Sequence, residues 1–151
     1  MGVITSFEKP LHLEYIDGIH FKLEKGFFYK TFIPKGAKKL GGLVITIPDG
    51  FITDFATIPR GFWGFFYPMD KRWAKAAIIH DFIYSRVLFD RKTCDKIFKE
   101  AMIKTGTPKW NANLFYYSVR AFGWRYYNSK KRKDRLKALE ESKKSKLAKS
   151  L

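Results

Sequence analysis

Between Leu11 and Thr53 the apolar residues alternate with polar ones, and beyond Pro59 they recur at helical spacing. This change of period constrains the fold more than any other feature of the chain. In Leu11–Ile16, Leu11, Leu13 and Tyr15 alternate with His12 and Glu14; after Asp17-Gly18 the alternation resumes in Ile19–Leu23. Asp-Gly between two such runs predicts a hairpin with a type I′ turn, because both residues tolerate positive φ. A further extended run, Phe27–Ile33, stops at Pro34. Lys35–Lys39 reads as a loop and Leu43–Ile47 as a short β-branched strand. Pro48-Asp49-Gly50 then turns the chain into Phe51-Ile52-Thr53.

Within Lys71–Val87, residues Trp73, Ala76, Ala77, His80, Ile83, Tyr84 and Val87 fall on one face of a helix. Asp90 is placed to N-cap a second helix reaching about Lys104, with Cys94, Phe98 and Met102 inward. Gly106 and Pro108 break that helix, and a third, rich in aromatic residues, is expected from about Lys109 to Tyr127. The expected fold class is α+β: an N-terminal antiparallel β-hairpin and sheet segment, then three helices and a basic C-terminal tail helix. Residues 1–129 are expected to form a single domain and residues 130–151 a tail.

Charge bears next on function. The chain carries 30 Lys+Arg against 14 Asp+Glu, a formal net charge of +16. Such an excess suits nucleic acid, anionic lipid or an acidic protein, and otherwise serves solubility alone. The tail from Lys130 onward has a thin apolar edge and is a marginal helix by itself. Its Lys130, Lys131, Arg132, Lys133, Arg135 and Lys137 are candidate contacts to nucleic acid or an anionic membrane surface. No base-reading pattern accompanies them. The single cysteine, Cys94, excludes an internal disulfide and a Cys-based zinc site. The opening MGVITSFEKPLHLEY lacks the basic start and apolar run of a Sec-type signal. No apolar stretch approaches the roughly 18 residues of a spanning helix, so an integral membrane protein is not expected.

His80 is the residue whose position suggests chemistry. It lies on the apolar helix face between Ala77 and Tyr84, where an imidazole requires partners. Asp95, beside Cys94 and one turn before Phe98, puts a carboxylate on an inward face of the next helix. A carboxylate on one ring nitrogen fixes the tautomer and raises the basicity of the other, as in a histidine that activates water. In this reading His80 is the base, Asp95 its orienter, and Asp81 is left free to hold a cation, while Tyr84 supports a carboxylate by donating to it. Asp54 is a second candidate cation ligand. Thr57 and Arg60, in Thr53–Arg60, offer turn capping and an anion-binding side chain. The same residues also suit a satisfied polar core network.

Three ordered motifs carry a resemblance: TDFATIPR at Thr53–Arg60, HDFIY at His80–Tyr84 and RKTCDKIFKEAM at Arg91–Met102. Together they resemble the phage and prophage domain-of-unknown-function family numbered 1353, over roughly Leu43 to Trp124. That resemblance implies a phage or prophage origin and supplies no reaction. HDxxY followed by an Asp on the next helix is also similar to the core of phospholipase A2 enzymes. By that similarity His80 is the general base, Asp81 binds calcium and Asp95 orients the histidine. The chain departs from those enzymes in having one cysteine and, at Gly61–Gly64, only a loose substitute for their glycine-rich calcium loop.

Two functional classes stay open on sequence. One is a phage accessory hydrolase assisted by a divalent cation, Ca2+ or similar, with no organic cofactor, acting on envelope lipid or another phosphate or ester substrate. The other is a non-enzymatic virion or assembly protein that binds nucleic acid or another virion protein through its basic tail and aromatic helix. Either would work in the bacterial host cytoplasm or in the virion. The aromatic run Phe62–Tyr67 suits a packed core or an exposed lip for a membrane or a partner protein.

Overall fold

The computed structural model describes residues 5–55, 61, 64, 67, 70–129, 131–133, 137–138 and 141. Strands β1 (Thr5–Ser6), β2 (Leu13–Asp17), β3 (His20–Leu23), β4 (Phe27–Thr31), β5 (Leu43–Ile47) and β6 (Ile52–Thr53) precede helices α1 (Ala74–Arg86), α2 (Arg91–Lys104) and α3 (Lys109–Phe122). The fold class is α+β, as the change of period implies.

The strands form two three-stranded sheets, ordered β1-β4-β5 and β2-β3-β6. In the first, β4 pairs antiparallel with β5, Tyr29 opposite Ile45, and parallel with β1, Thr5 opposite Phe27. Alternation sends Phe27, Tyr29 and Thr31 inward while Phe28 and Lys30 face out. In the second sheet, β3 pairs antiparallel with both neighbours, which brings Thr53 of β6 opposite Phe21.

The hairpin lies between β2 and β3, with its turn one residue later than expected. Asp17 pairs with His20 after a register shift, so Gly18 and Ile19 occupy the turn. Positive φ falls on Gly18, at +36°, and not on Ile19, which rules out the type I′ geometry. The Lys35–Lys39 segment also differs from the expected loop: Ala37–Leu40 forms one turn of 3-10 helix between left-handed Gly36 and Gly41.

Helix α1 departs most from its expected one-sided pattern. Every residue from Ala74 to Tyr84 is buried, including Lys75, His80 and Asp81. The sheets and α2 enclose it, so its polar residues are interior groups. By contrast, α2 is amphipathic and buries Cys94, Asp95, Ile97, Phe98, Ala101 and Met102. Asp90 caps it as its sequence position implies, accepting from the Thr93 N–H at 3.1 Å.

The third helix is interrupted. α3 ends at Phe122, and residues 124–129 and 131–133 are helical beyond Gly123. A Cβ at Gly123 would lie 2.6 Å from the Val119 carbonyl oxygen and 3.2 Å from the Tyr84 hydroxyl, so glycine relieves crowding from the preceding turn as well as from α1. Residues 137–138 and 141 are helical too; Lys131, Arg132, Lys133 and Lys137 are exposed, while Lys130 and Arg135 lie outside the described residues. Among the described residues no helix is long and apolar enough to cross a membrane.

Candidate functional site

The phase of α1 and α2 brings His80 and Asp95 into contact across their interface. His80 Nε2 lies 2.8 Å from Asp95 Oδ1. The Tyr84 hydroxyl, one turn further along α1, donates to that same oxygen. Arg120 from α3 reaches Asp95 Oδ2 at 2.9 Å, and Arg91, one turn before Asp95, stands 3.7 Å from it. One carboxylate thus joins all three helices. Arg91 also donates to the Arg120 carbonyl at 3.0 Å. The His80 ring packs between Tyr84 and Phe98, with centroids 3.9 and 4.9 Å away.

The centre of the network is buried, with His80 2% exposed and Asp95 0%, while Arg91 and Arg120 at its edge are partly exposed. Burial pushes the His80 pKa below its ordinary value, although Asp95 pulls the other way. The imidazole is therefore neutral near pH 7. Burial works against ionised Asp95 as well, but the groups donated by His80, Tyr84 and Arg120 outweigh it and hold the carboxyl below the usual range.

Asp81 is not the free ligand expected from sequence. It is buried, and its Oδ2 accepts from the Thr53 hydroxyl at 2.5 Å. Thr53 Oγ1 also accepts from the Phe55 N–H at 3.2 Å. That bond closes a tight turn in which buried Phe55 adopts φ +52°. Asp54, half-buried, sits in this turn. Burial first, then the charges of Asp81 and Asp54, push the Tyr126 pKa up to about 12. Tyr126, which stacks over Tyr84 at 6.3 Å and 18°, thus feels both carboxylates. Among the described residues no group of three or more His, Cys, Asp or Glu is placed to hold a metal ion. Asp81 and Asp54 do not make a cation cage by themselves. Thr57 and Arg60 lie outside the described residues.

Sequence reasoning missed Arg120 as a partner of Asp95 and Thr53 as a partner of Asp81. The i,i+4 spacing of Arg91 and Asp95 is a local signal that was available. Thr53 and Arg120 meet their carboxylates only through the tertiary fold.

A second feature lies on the outer side of α3. Trp110, Leu114, Tyr117, Ala121 and Trp124 follow one another at steps of four and three residues, and all are exposed. Trp110 and Tyr117 are each 67% exposed and Trp124 is 47% exposed. Arg125 lies 5.3 Å from the Trp124 ring.

The HDFIY and RKTCDKIFKEAM motifs thus form one buried network, to which TDFATIPR contributes through Thr53. The chain belongs to the family described as Protein of unknown function (DUF1353), whose model matches residues 21–119. The match begins in β3, earlier than the motifs alone indicate, and stops just before Arg120. Among curated proteins, the chain is 30% identical to "Uncharacterized protein y4jT" of Sinorhizobium fredii (strain NBRC 101917 / NGR234) over 83 residues, 54% of this chain and 25% of the relative. It is 35% identical to "Uncharacterized protein y4iH" of the same organism over 77 residues, 49% of this chain and 31% of the relative. The similarity therefore spans about a quarter to a third of these relatives' length. No solved structure matches the chain.

Proposed function

We propose that this is a non-enzymatic accessory protein of phage or prophage origin that holds single-stranded nucleic acid on α3 and its helical continuation. The observation that carries the reading is the exposed row of Trp110, Tyr117 and Trp124 on an acid-free, basic segment. Residues 109–133 contain seven Lys+Arg and no Asp or Glu. Successive rings in the row are seven residues apart, about 10.5 Å along a helix. A row of planar rings that leads into the exposed cations Arg125, Lys131, Arg132 and Lys133 suits stacked bases and phosphates, and such surfaces bind without reading sequence. Burial of the His80–Asp95 network supports the non-enzymatic class, because a general base must reach water and substrate.

The test is fluorescence anisotropy with a labelled oligothymidylate and with a duplex of equal length. The single strand should bind more tightly. Replacing Trp110, Tyr117 and Trp124 together by alanine should weaken it at least about tenfold, given about 1–3 kcal/mol per stacked base. His80→Gln should leave binding unchanged. If duplex and single strand bind alike and the ring variant matches wild type, charge alone is at work and the reading fails.

One atom pair favours a second reading. His80 Nε2 on Asp95 Oδ1, with Tyr84 donating to the same oxygen, matches the division of roles that the similarity to phospholipase A2 implies. In that reading Asp95 orients His80, whose other ring nitrogen takes the proton of an attacking water at an ester carbonyl or phosphorus. Ca2+ would be the cation, with Asp81 and Asp54 as its nearest carboxylates, but the described residues do not complete a cage and no step is assigned to the ion. Incubation of wild type with phosphatidylglycerol vesicles and Ca2+ decides the matter. Fatty-acid release that disappears in His80→Gln would establish hydrolysis, and no release from wild type would remove it. Metal analysis of wild type beside Asp81→Ala tests the cation directly, since a true ligand lowers the bound metal when removed.

A further inference from the structure

A cavity of about 740 Å³ lies where the segment between β1 and β2 crosses the start of α1 and the end of α2, and none of its lining residues belongs to α3. Phe7, Pro10, Leu11 and Leu13 give it apolar walls. Lys9, Lys71, Lys75 and Lys104 also line it, with Glu8 as the one carboxylate among its lining residues. None of the four lysines is ion-paired among the described residues.

Lys75 is the unusual member. It is 8% exposed, although lysine is almost never buried without a partner charge. Its ammonium donates to the carbonyls of Phe7 and Lys9 and lies 5.4 Å from the centroids of the Phe7 and Phe27 rings. Two of its three N–H groups are thereby used, and the third has no acceptor among the described residues. Burial pushes its pKa down from the ordinary lysine value. Helix α1 starts at this cavity with no acidic residue in its first turn and no side-chain cap, so its positive end adds to the field. The result is a chamber with apolar walls whose charged lining is four lysines against one carboxylate. Lining of this kind suits an anion joined to an apolar body.

We propose that this cavity binds an amphipathic small anion, a carboxylate or a phosphate monoester carried on an alkyl or similar apolar body. The head group takes the free N–H of Lys75 and the charges of Lys71 and Lys104. The body lies against Phe7, Leu11 and Leu13. The volume falls within the usual range for small-molecule sites, about 300–1,000 Å³.

Titration calorimetry on the full chain, with probes below their micellar concentrations, tests this. Dodecanoate and dodecyl phosphate are the two head-group arms, and the tighter of them identifies the natural head. At least one should bind at least about tenfold more tightly than dodecanol or inorganic phosphate. The double variant Lys71→Gln, Lys104→Gln changes two exposed residues and should keep its melting temperature while losing at least about tenfold in affinity. Leu11→Trp should fill the chamber and abolish binding, with oligothymidylate binding intact. Three results would each overturn the proposal: dodecanol binding as tightly as both anions, inorganic phosphate binding as tightly as the alkylated probes, or the double lysine variant binding like wild type. Failure of the α3 reading leaves this outcome untouched, because the two surfaces share no residue.

Discussion

The Thr53 hydroxyl donates to Asp81 Oδ2 at 2.5 Å, tying the last strand of the second sheet to the middle of α1. Both residues are buried, so the bond forms away from competing water. A hydrogen bond to a charged group contributes about 1.5–3 kcal/mol. Thr53→Val keeps the shape and removes the donor. It should lower the unfolding free energy in urea by about 1.5–3 kcal/mol with an unchanged denaturant slope. Thr53→Ser should recover most of the loss. Equal midpoints for Thr53→Val and wild type would mean that the bond contributes nothing.

His80 sets an acid limit on stability. Its folded pKa lies below the ordinary 6.5, because burial disfavours the imidazolium more than Asp95 favours it. Below that pH the unfolded chain takes up a proton that the folded chain refuses, so stability falls as the pH drops. Asp95, whose carboxyl is held low, contributes in the same direction at more acidic pH: its contribution is present above the unfolded value and is lost as pH falls through the folded one. Denaturation of wild type and His80→Gln between about pH 7 and pH 5 separates the two. Wild type should weaken across this window while His80→Gln stays nearly flat. Parallel curves would show that His80 does not govern the acid limit.

Cys94 reports on the same junction. Burial first, then the neighbouring Asp95 charge, push its thiol up to about 12. The only cysteine of the chain should therefore resist a thiol reagent until α2 lifts from α1. Asp95→Ala leaves Arg120, His80 and Tyr84 without their shared acceptor. Breaking a buried charge pair costs about 3–5 kcal/mol, so labelling should accelerate by about a hundredfold or more. An unchanged labelling rate in Asp95→Ala would mean that the network does not hold the helices together.

The change of period after Pro59 was enough to read the order of strands and helices, because each element pays for its own backbone pattern locally. The inward phases of His80 and Asp95 were legible for the same reason: 3.6-residue spacing fixes a face regardless of what covers it. What covers it is a tertiary matter. Ala74–Tyr84 looks one-sided in sequence because Lys75 and Asp81 break the pattern, yet both are interior: Lys75 donates to the Phe7 and Lys9 carbonyls between β1 and β2, and Asp81 accepts from Thr53 of β6. At Gly123, where α3 ends, a Cβ would meet the Val119 carbonyl oxygen at 2.6 Å and the Tyr84 hydroxyl at 3.2 Å, and the second of these contacts comes from α1, outside any window around residue 123. Asp81 looked free for the same reason, since its donor stands 28 positions earlier.

The basic continuation of α3 gives the proposed nucleic-acid surface its most quantitative test. Lys131, Arg132 and Lys133 are helical, exposed and follow the ring row without an intervening acid. For single strands, each phosphate neutralised contributes about 0.7 to the slope of log K against log salt. If all three side chains contact phosphates, their joint replacement by glutamine should flatten that slope by about 2. The ring variants act through stacking and should shift the whole line downward at nearly constant slope. The two classes of variant therefore predict different geometries of the same plot, a change of gradient against a change of intercept. Oligothymidylate titrations at several salt concentrations measure both. A triple-glutamine variant with the wild-type gradient would place the phosphates elsewhere and leave the basic helix as a solvated extension.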